Sequence, residues 1–129
     1  MFRKAITLLS LLLVVAGALF AESATDPALQ PYTTPEGLRD LIETEEVSYL
    51  LVDVRSPAEY AAGHIPTAIN VPYQNVASDL PEISDETVVI VYCRSGRRSG
   101  IAYDSLRAAG QERLVDFGGI VRWRGELER

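Results

Sequence analysis

The feature that most constrains the fold is a short apolar run that ends in a cysteine. Residues 88–92 read Val-Val-Ile-Val-Tyr, and Cys93, the only cysteine of the chain, follows. A continuous run of β-branched residues is typical of a strand buried on both faces, as in a parallel sheet. The sequence then predicts a loop and a helix over 100–109, capped by Ser99 and ended by Gly110. The pattern indicates strand, tight loop and helix, with a thiol at the carboxyl end of the strand.

The loop after this strand has the composition of an anion-binding cradle. Residues 93–99 read Cys-Arg-Ser-Gly-Arg-Arg-Ser. Backbone N–H groups of such a loop can converge on one point, where the following helix presents its positive end. A helix N-terminus and nearby arginines lower a thiol pKa from about 8.5 to about 3.5–7.5. We therefore predict that Cys93 is an ionised nucleophile at neutral pH.

The predicted substrate-binding residues are the five that follow the thiol: Arg94, Ser95, Gly96, Arg97 and Arg98. A single cysteine after an apolar strand is more often a small buried hydrophobic residue. Three arginines, a glycine and a serine directly after it make a poor core segment, however, and suit a small oxyanion. The composition of the loop therefore favours a reactive thiol.

Strands alternate with helices along the rest of the chain. Further strands are expected over 49–54, 68–71 and 113–116. Helices are expected to begin at 35, 57, 76 and 120, the last one running to residue 127. This alternation predicts an α/β fold with a central, mostly parallel sheet of about five strands and helices on both faces.

Two motifs give the chain a resemblance to a known family. The loop Cys-Arg-Ser-Gly-Arg-Arg-Ser over 93–99 is one, and the other is Asp-Val-Arg at 53–55 followed by Gly-His-Ile-Pro-Thr-Ala-Ile-Asn-Val-Pro at 63–72. With Phe-Gly-Gly at 117–119 and Trp123, they resemble the single-domain rhodaneses, the thiosulfate sulfurtransferase family. The resemblance implies a rhodanese-like domain over 33–129.

The resemblance also implies a reaction. A sulfane sulfur passes from thiosulfate or a similar donor to cyanide or a thiol acceptor, through a persulfide on Cys93. A persulfide carrier with little turnover is an alternative. A cysteine-dependent phosphatase or arsenate reductase is less favoured, because the phosphatase pattern places arginine six positions after the cysteine, where this chain has Ser99.

Three other polar residues are predicted to be structural. His64 is the only histidine, and a thiolate that its own loop ionises needs no general base. Asp53 and Arg55 are expected to form an internal charge-assisted network. One cysteine and one histidine make a zinc site improbable, and we predict neither a metal nor a cofactor.

The first 21 residues have the layout of a secretory signal peptide. Arg3 and Lys4 precede an uncharged run over 5–20, and Ala21 provides a small residue at the predicted cleavage site. The uncharged run is shorter than the roughly 18 residues that a membrane span needs, which favours cleavage over an uncleaved anchor. We therefore expect a protein of the bacterial periplasm with no membrane attachment after cleavage, and a flexible leader over 22–32.

Charge limits the partners that this chain can bind. The net charge is −6, and removal of two basic residues with the signal peptide makes it −8. Nucleic acid is therefore an improbable partner, whereas the arginines at 94, 97 and 98 form a local positive region that attracts small anions. The expected partners are a small anionic sulfur donor and a thiol or cyanide acceptor, with a thiol redox protein as a further candidate.

Overall fold

A computed structural model describes residues 26–129; the predicted signal peptide over 1–21 and the start of the leader lie outside this range. The described elements are four strands, four α-helices and two 3-10 helices. The strands are β1 (Tyr49–Asp53), β2 (Ile69–Asn70), β3 (Val88–Cys93) and β4 (Leu114–Gly119). The α-helices are α1 (Pro35–Thr44), α2 (Pro57–Ala62), α3 (Val76–Asp79) and α4 (Arg97–Ala108). The 3-10 helices are Pro27–Thr33 and Ile120–Arg122. None of the helices over 26–129 has the length and apolar character that crossing a membrane requires.

The strands form one parallel sheet in the order β2-β1-β3-β4. The α/β class and the parallel sheet are confirmed, although the described part of the chain has four strands where about five were expected. Parallel pairing brings the carboxyl ends of all four strands to one edge of the sheet, where Asp53 pairs with Asn70 and Cys93 pairs with Gly119. Open α/β sheets place their ligand sites at this edge.

Helices cover both faces of the sheet, as predicted. Every residue of β3 is buried, and its side chains alternate between two apolar clusters because a strand has a period of two. Val88, Ile90 and Tyr92 join the cluster beneath α1, whereas Val89, Val91 and Cys93 join the cluster beneath α4. The continuous apolar run in the sequence therefore reflects burial on both sides.

The predicted leader over 22–32 differs from the structure in its second half. Residues Pro27–Thr33 form a 3-10 helix that Asp26 caps through a 2.9 Å hydrogen bond to the Ala28 N–H group. Leu29 and Tyr32 are buried in the same apolar cluster as α1. A polar segment with two prolines resembles a linker in sequence, but two apolar side chains three residues apart are enough to hold one face of it on the core.

The C-terminal segment also differs from its prediction. Only Ile120–Arg122 is helical in this segment. The prediction of a helix that runs to residue 127 is therefore wrong. The ring of Trp123 folds back so closely over Gly125 that a Cβ atom there would lie 2.8 Å from it. The backbones of His64 and Glu128 exchange two hydrogen bonds of 2.9 Å, which extends the chain end instead of coiling it.

We expect Leu29→Ala to lower the free energy of unfolding by about 2–4 kcal/mol, because Leu29 is only 2% exposed within a packed cluster. Urea denaturation of the native protein and the variant measures this loss of free energy. Gln30→Ala, an exposed change in the same 3-10 helix, is the matched control and should cost less than about 0.5 kcal/mol. Equal losses for the two variants would contradict the packing of this segment on the core.

Candidate active site

Cys93 is the last residue of β3 and lies at the carboxyl edge of the sheet. Its side chain is 1% exposed and faces α4. The backbone N–H group of Gly96 donates to its sulfur at 3.0 Å. The thiol therefore lies at the base of the loop over 94–96, where the loop's own amide can stabilise a negative sulfur.

The helix after the loop begins earlier than the sequence suggested. α4 starts at Arg97, and Gly96 is its N-cap with a φ of 107°, a conformation that glycine adopts at little cost. Ser99 is therefore not the cap. It is fully buried in the first turn of α4, with its Oγ atom 3.6 Å from the sulfur of Cys93 and 3.1 Å from the carbonyl oxygen of Gly96.

The end of β4 supports the loop from behind. A Cβ atom on Gly119 would lie 2.7 Å from the carbonyl oxygen of Arg94 and 3.1 Å from Cα of Ser95. Because those neighbours are backbone atoms of the loop, only glycine permits this approach. Gly118 has a φ of 90° and accepts a 3.4 Å hydrogen bond from Ser99 through its carbonyl oxygen. These two glycines at the end of β4 therefore contact the loop and Ser99 and form part of the site.

Opposing effects determine the charge of Cys93. Burial raises the pKa of its thiol, but the backbone and side chain of Ser99 and the backbone N–H groups of Gly96 and Ser95 lower it by more. The net pKa lies below the ordinary value of a thiol. The thiolate, which is the nucleophilic form, is therefore stabilised mainly by hydrogen bonds from the loop and the first turn of α4.

The three arginines of the loop occupy different positions. Arg94 and Arg97 are exposed and free to meet an anion from solvent. Arg98 instead donates to both carboxylate oxygens of Glu59, at 2.6 and 2.9 Å. The charge of Arg98 stays beside the loop, but its guanidinium is already paired with Glu59 of α2.

Glu59 has two roles in the structure. Its carboxylate accepts hydrogen bonds from the Ser56 hydroxyl at 3.1 Å and the Ser56 N–H group at 3.3 Å, which completes a capping box at the start of α2. It also anchors Arg98 in the first turn of α4. The hydrogen bond from Arg98 is the largest cause that lowers the pKa of Glu59 to about 2. The start of α2 is therefore tied to the first turn of α4, next to the loop after Cys93.

The predicted Asp53–Arg55 network is present beneath the edge of the sheet. The Arg55 guanidinium donates to Asp53 at 2.7 Å, and both side chains are buried. The Tyr92 hydroxyl donates to the same carboxylate at 3.0 Å and accepts from the N–H group of Ile65. Burial and the nearby Asp53 charge raise the pKa of Tyr92, so its hydroxyl remains a donor. The network joins β1, β3 and the segment before β2.

His64 belongs to a structural contact, as predicted. Its ring stacks on Tyr60 with centroids 3.8 Å apart, and its Nδ1 atom lies 3.0 Å from the Tyr60 carbonyl oxygen. The imidazole lies 3.9 Å from the exposed carboxylate of Glu128 and makes no hydrogen bond to Cys93. Within residues 26–129, no group of three or more His, Cys, Asp or Glu residues could hold a metal ion.

Sequence reasoning missed Ser99 and Glu59 as site residues. Ser99, Ala102 and Leu106 form the buried face of α4, whereas Ile101 is 39% exposed. The spacing of three and four residues along this face could have identified Ser99 as an inward-facing hydroxyl. No sequence signal pairs Glu59 with Arg98, because the two lie 39 residues apart.

We expect Ser99→Ala to raise the pKa of the Cys93 thiol, because the side chain of Ser99 is one of the groups that lower this pKa. The rate of alkylation by iodoacetamide as a function of pH measures this pKa. Ser95→Ala is the matched control, because Ser95 stabilises the sulfur through its backbone N–H group. An unchanged midpoint in Ser99→Ala would contradict the role assigned to its hydroxyl.

We expect the Glu59–Arg98 pair to stabilise the fold at neutral pH but not in acid. Because the folded pKa of Glu59 is depressed to about 2, its contribution is present above about pH 4.5 and is lost as pH falls towards 2. Glu59→Gln should reduce the difference in unfolding free energy between pH 7 and pH 3 by about 1 kcal/mol, allowing for solvent screening of a partly exposed pair. Ser56→Ala, which removes the cap and keeps the ion pair, should leave most of that difference intact.

Comparison with known proteins agrees with this geometry. A sulfurtransferase of Allochromatium vinosum is 43% identical over 84 residues, which are 64% of this chain and 77% of that protein. A rhodanese from E. coli solved with anions is 29% identical, with a TM-score of 0.57 over 64% of this chain and 99% of that one. A human single-domain sulfurtransferase is 28% identical, with a TM-score of 0.55 over 65% of this chain and 85% of that one.

Of several other relatives, the match covers only between 21% and 63% of the length. The similarity is concentrated in the part of the chain that carries the sheet and the cysteine loop, since the rhodanese-like domain matches residues 34–126. With a parallel sheet, a buried cysteine at its carboxyl edge and sulfurtransferases among its relatives, the chain belongs to the rhodanese-like domain family.

Proposed function

We propose that this protein is a thiosulfate sulfurtransferase that works through a persulfide on Cys93. The observation that carries the proposal is the thiol itself, which lies at the base of a loop with its pKa lowered by the amides and hydroxyl around it. A stabilised thiolate is the nucleophile that sulfur transfer needs. The sulfurtransferases among the relatives support the same reaction class.

In the first step, the Cys93 thiolate attacks the outer sulfur of thiosulfate. A bond forms between the two sulfurs, the bond between the outer sulfur and the sulfonate sulfur breaks, and sulfite leaves with the electron pair of that bond. The negative charge remains on the outer sulfur of the persulfide. The loop amides that stabilise the resting thiolate suit this charge as well, in the manner of an oxyanion hole, and the exposed Arg94 and Arg97 attract the dianionic donor.

In the second step, an acceptor removes the outer sulfur. Cyanide attacks it, thiocyanate leaves, and the thiolate of Cys93 is restored; a thiol acceptor gives a new persulfide instead. Donor and acceptor use the same sulfur in turn, so the reaction follows a double-displacement scheme. The charge on the site is the same before and after the cycle, and neither step needs a general base.

We further propose that the protein is exported to the bacterial periplasm. The basic residues Arg3 and Lys4, the uncharged run over 5–20 and Ala21 support a cleaved signal peptide. The local positive charge of the loop on an acidic chain supports a small anionic donor, and a thiol redox protein is a candidate acceptor in that compartment.

Incubation with thiosulfate should add the mass of one sulfur atom to the native chain, because a persulfide forms and sulfite is released. Intact mass spectrometry measures the gain, and cyanide should reverse it with formation of one equivalent of thiocyanate. Cys93→Ser should gain no mass, since a serine hydroxyl at neutral pH is not ionised and cannot displace sulfite.

Steady-state kinetics with thiosulfate and cyanide distinguishes an enzyme from a carrier. Parallel lines in double-reciprocal plots, with turnover that depends on both substrates, support the sulfurtransferase. Stoichiometric loading with negligible turnover would contradict it in favour of a persulfide carrier. Absence of loading together with hydrolysis of an aryl phosphate would replace it with a phosphatase.

A further inference from the structure

Exposed apolar side chains gather beside the catalytic loop. The large apolar side chains exposed in the described part of the chain are Val121 at 72%, Leu127 at 48% and Ile101 at 39%. The first two line one cavity of about 520 Å³, together with Ile120. Single exposed apolar residues are common on protein surfaces, but a cluster that faces one cavity marks a binding surface.

Contacts within the C-terminal segment hold the walls of this cavity in place. Leu127 packs over Gly63, where an added Cβ atom would lie 3.2 Å from its Cδ1 atom. The next residue, Glu128, forms the two backbone hydrogen bonds with His64. The opposite wall follows directly from β4, because Ile120 and Val121 come after Gly119 in a short 3-10 helix. Leu127 is therefore held by its contact with Gly63, and Val121 by the 3-10 helix that follows β4, although both side chains are exposed.

One positive charge of the cavity has no partner. The cavity is also lined by Arg55, Glu59 and Arg94. Arg55 is paired with Asp53 and Glu59 is paired with Arg98. Among residues 26–129, no carboxylate lies within ion-pair distance of the Arg94 guanidinium, and this guanidinium makes no internal hydrogen bond. The cavity therefore combines apolar walls with one available cation.

The cavity is lined by residues that neighbour Cys93 in the chain and in the sheet. Arg94 follows Cys93 in the chain, and Ile120 follows Gly119, which is the residue paired with Cys93 in the sheet. Thiosulfate is a small dianion and gains nothing from apolar walls. Cyanide is smaller still. The apolar part of the cavity therefore suits a larger molecule that arrives after the donor has left.

Building on the sulfurtransferase function proposed above, we infer that the cavity lined by Val121, Leu127 and Arg94 binds the sulfur acceptor, and that this acceptor is a small thiol with an apolar chain and a carboxylate. The chain lies against Val121 and Leu127, and the carboxylate pairs with Arg94. The thiolate of the acceptor attacks the outer sulfur of the Cys93 persulfide. A bond forms between the acceptor sulfur and the outer sulfur, and the bond between the outer sulfur and the Cys93 sulfur breaks. The acceptor departs as a persulfide, and Cys93 returns to the thiolate.

Transfer from the preloaded protein tests this inference. The full chain is loaded with thiosulfate, freed of excess donor, and mixed with 3-mercaptopropionate, 6-mercaptohexanoate or 6-mercaptohexanol. Loss of the extra sulfur is followed by rapid-quench mass spectrometry. We expect 6-mercaptohexanoate to react about tenfold faster than 3-mercaptopropionate at subsaturating concentration, because it buries part of three more methylene groups. It should also react about threefold faster than 6-mercaptohexanol, which lacks the carboxylate.

Variants assign these preferences to the cavity. Val121→Ser should reduce the preference for the longer chain by about threefold, since it removes an apolar wall. Arg94→Gln should abolish the preference for the carboxylate over the alcohol. Ile101→Thr is the matched control, because Ile101 is exposed on α4 and does not line the cavity, and it should keep both preferences. Each comparison uses the same thiols, so differences in their intrinsic reactivity cancel.

Failure to load sulfur on Cys93 and failure to transfer it selectively contradict different proposals. Absence of a sulfur adduct after thiosulfate treatment contradicts the proposed sulfurtransferase function itself. Normal loading, followed by transfer that does not depend on chain length or carboxylate, overturns only the acceptor cavity. Preferences that persist unchanged in Val121→Ser and Arg94→Gln overturn it as well. A protein thiol such as reduced thioredoxin that reacts faster than 6-mercaptohexanoate, and is slowed by the same variants, would replace the small thiol with a protein acceptor.

Discussion

Stabilisation of a negative sulfur in a buried position is the constraint on which the site depends. Cys93 is 1% exposed, and burial of a charge without compensation is costly. Compensation comes from groups that the fold positions before any substrate arrives: the Gly96 N–H group at 3.0 Å, and the backbone and side chain of Ser99, which lower the pKa of the thiol. The carboxyl edge of a parallel sheet supplies a place where a loop can turn directly into a helix and present such groups.

The surrounding structure holds these groups in place. Gly119 allows the end of β4 to approach the backbone of Arg94 and Ser95, while the Glu59–Arg98 pair ties the first turn of α4 to α2. On the buried side, Asp53 links Tyr92 of β3 to Arg55. Three elements distant in sequence thus meet at one loop, and the sulfur itself needs no neighbouring base. Arg98, which resembles a substrate-binding residue in the sequence, serves this arrangement by pairing with a carboxylate.

Local patterns predicted much of the fold. The β-branched run before Cys93 indicated a central strand, and a helix was expected to begin at residue 57; both are confirmed. The errors lie where tertiary contacts override a local pattern. The segment around Leu29 packs on the core in spite of its prolines, and beyond Arg122 the chain end pairs with His64 in place of the expected last helix. Within the site, Cys93 and its loop could be predicted, whereas the pairing of Glu59 with Arg98 depends on the folded chain.

The depth of the sulfur has a consequence for chemical selectivity. An exposure of 1% at the base of the loop leaves little room beside the sulfur, so we expect slender reagents to react with Cys93 faster than wide ones. The same burial should slow the formation of a disulfide between two copies of the chain, each of which has one cysteine.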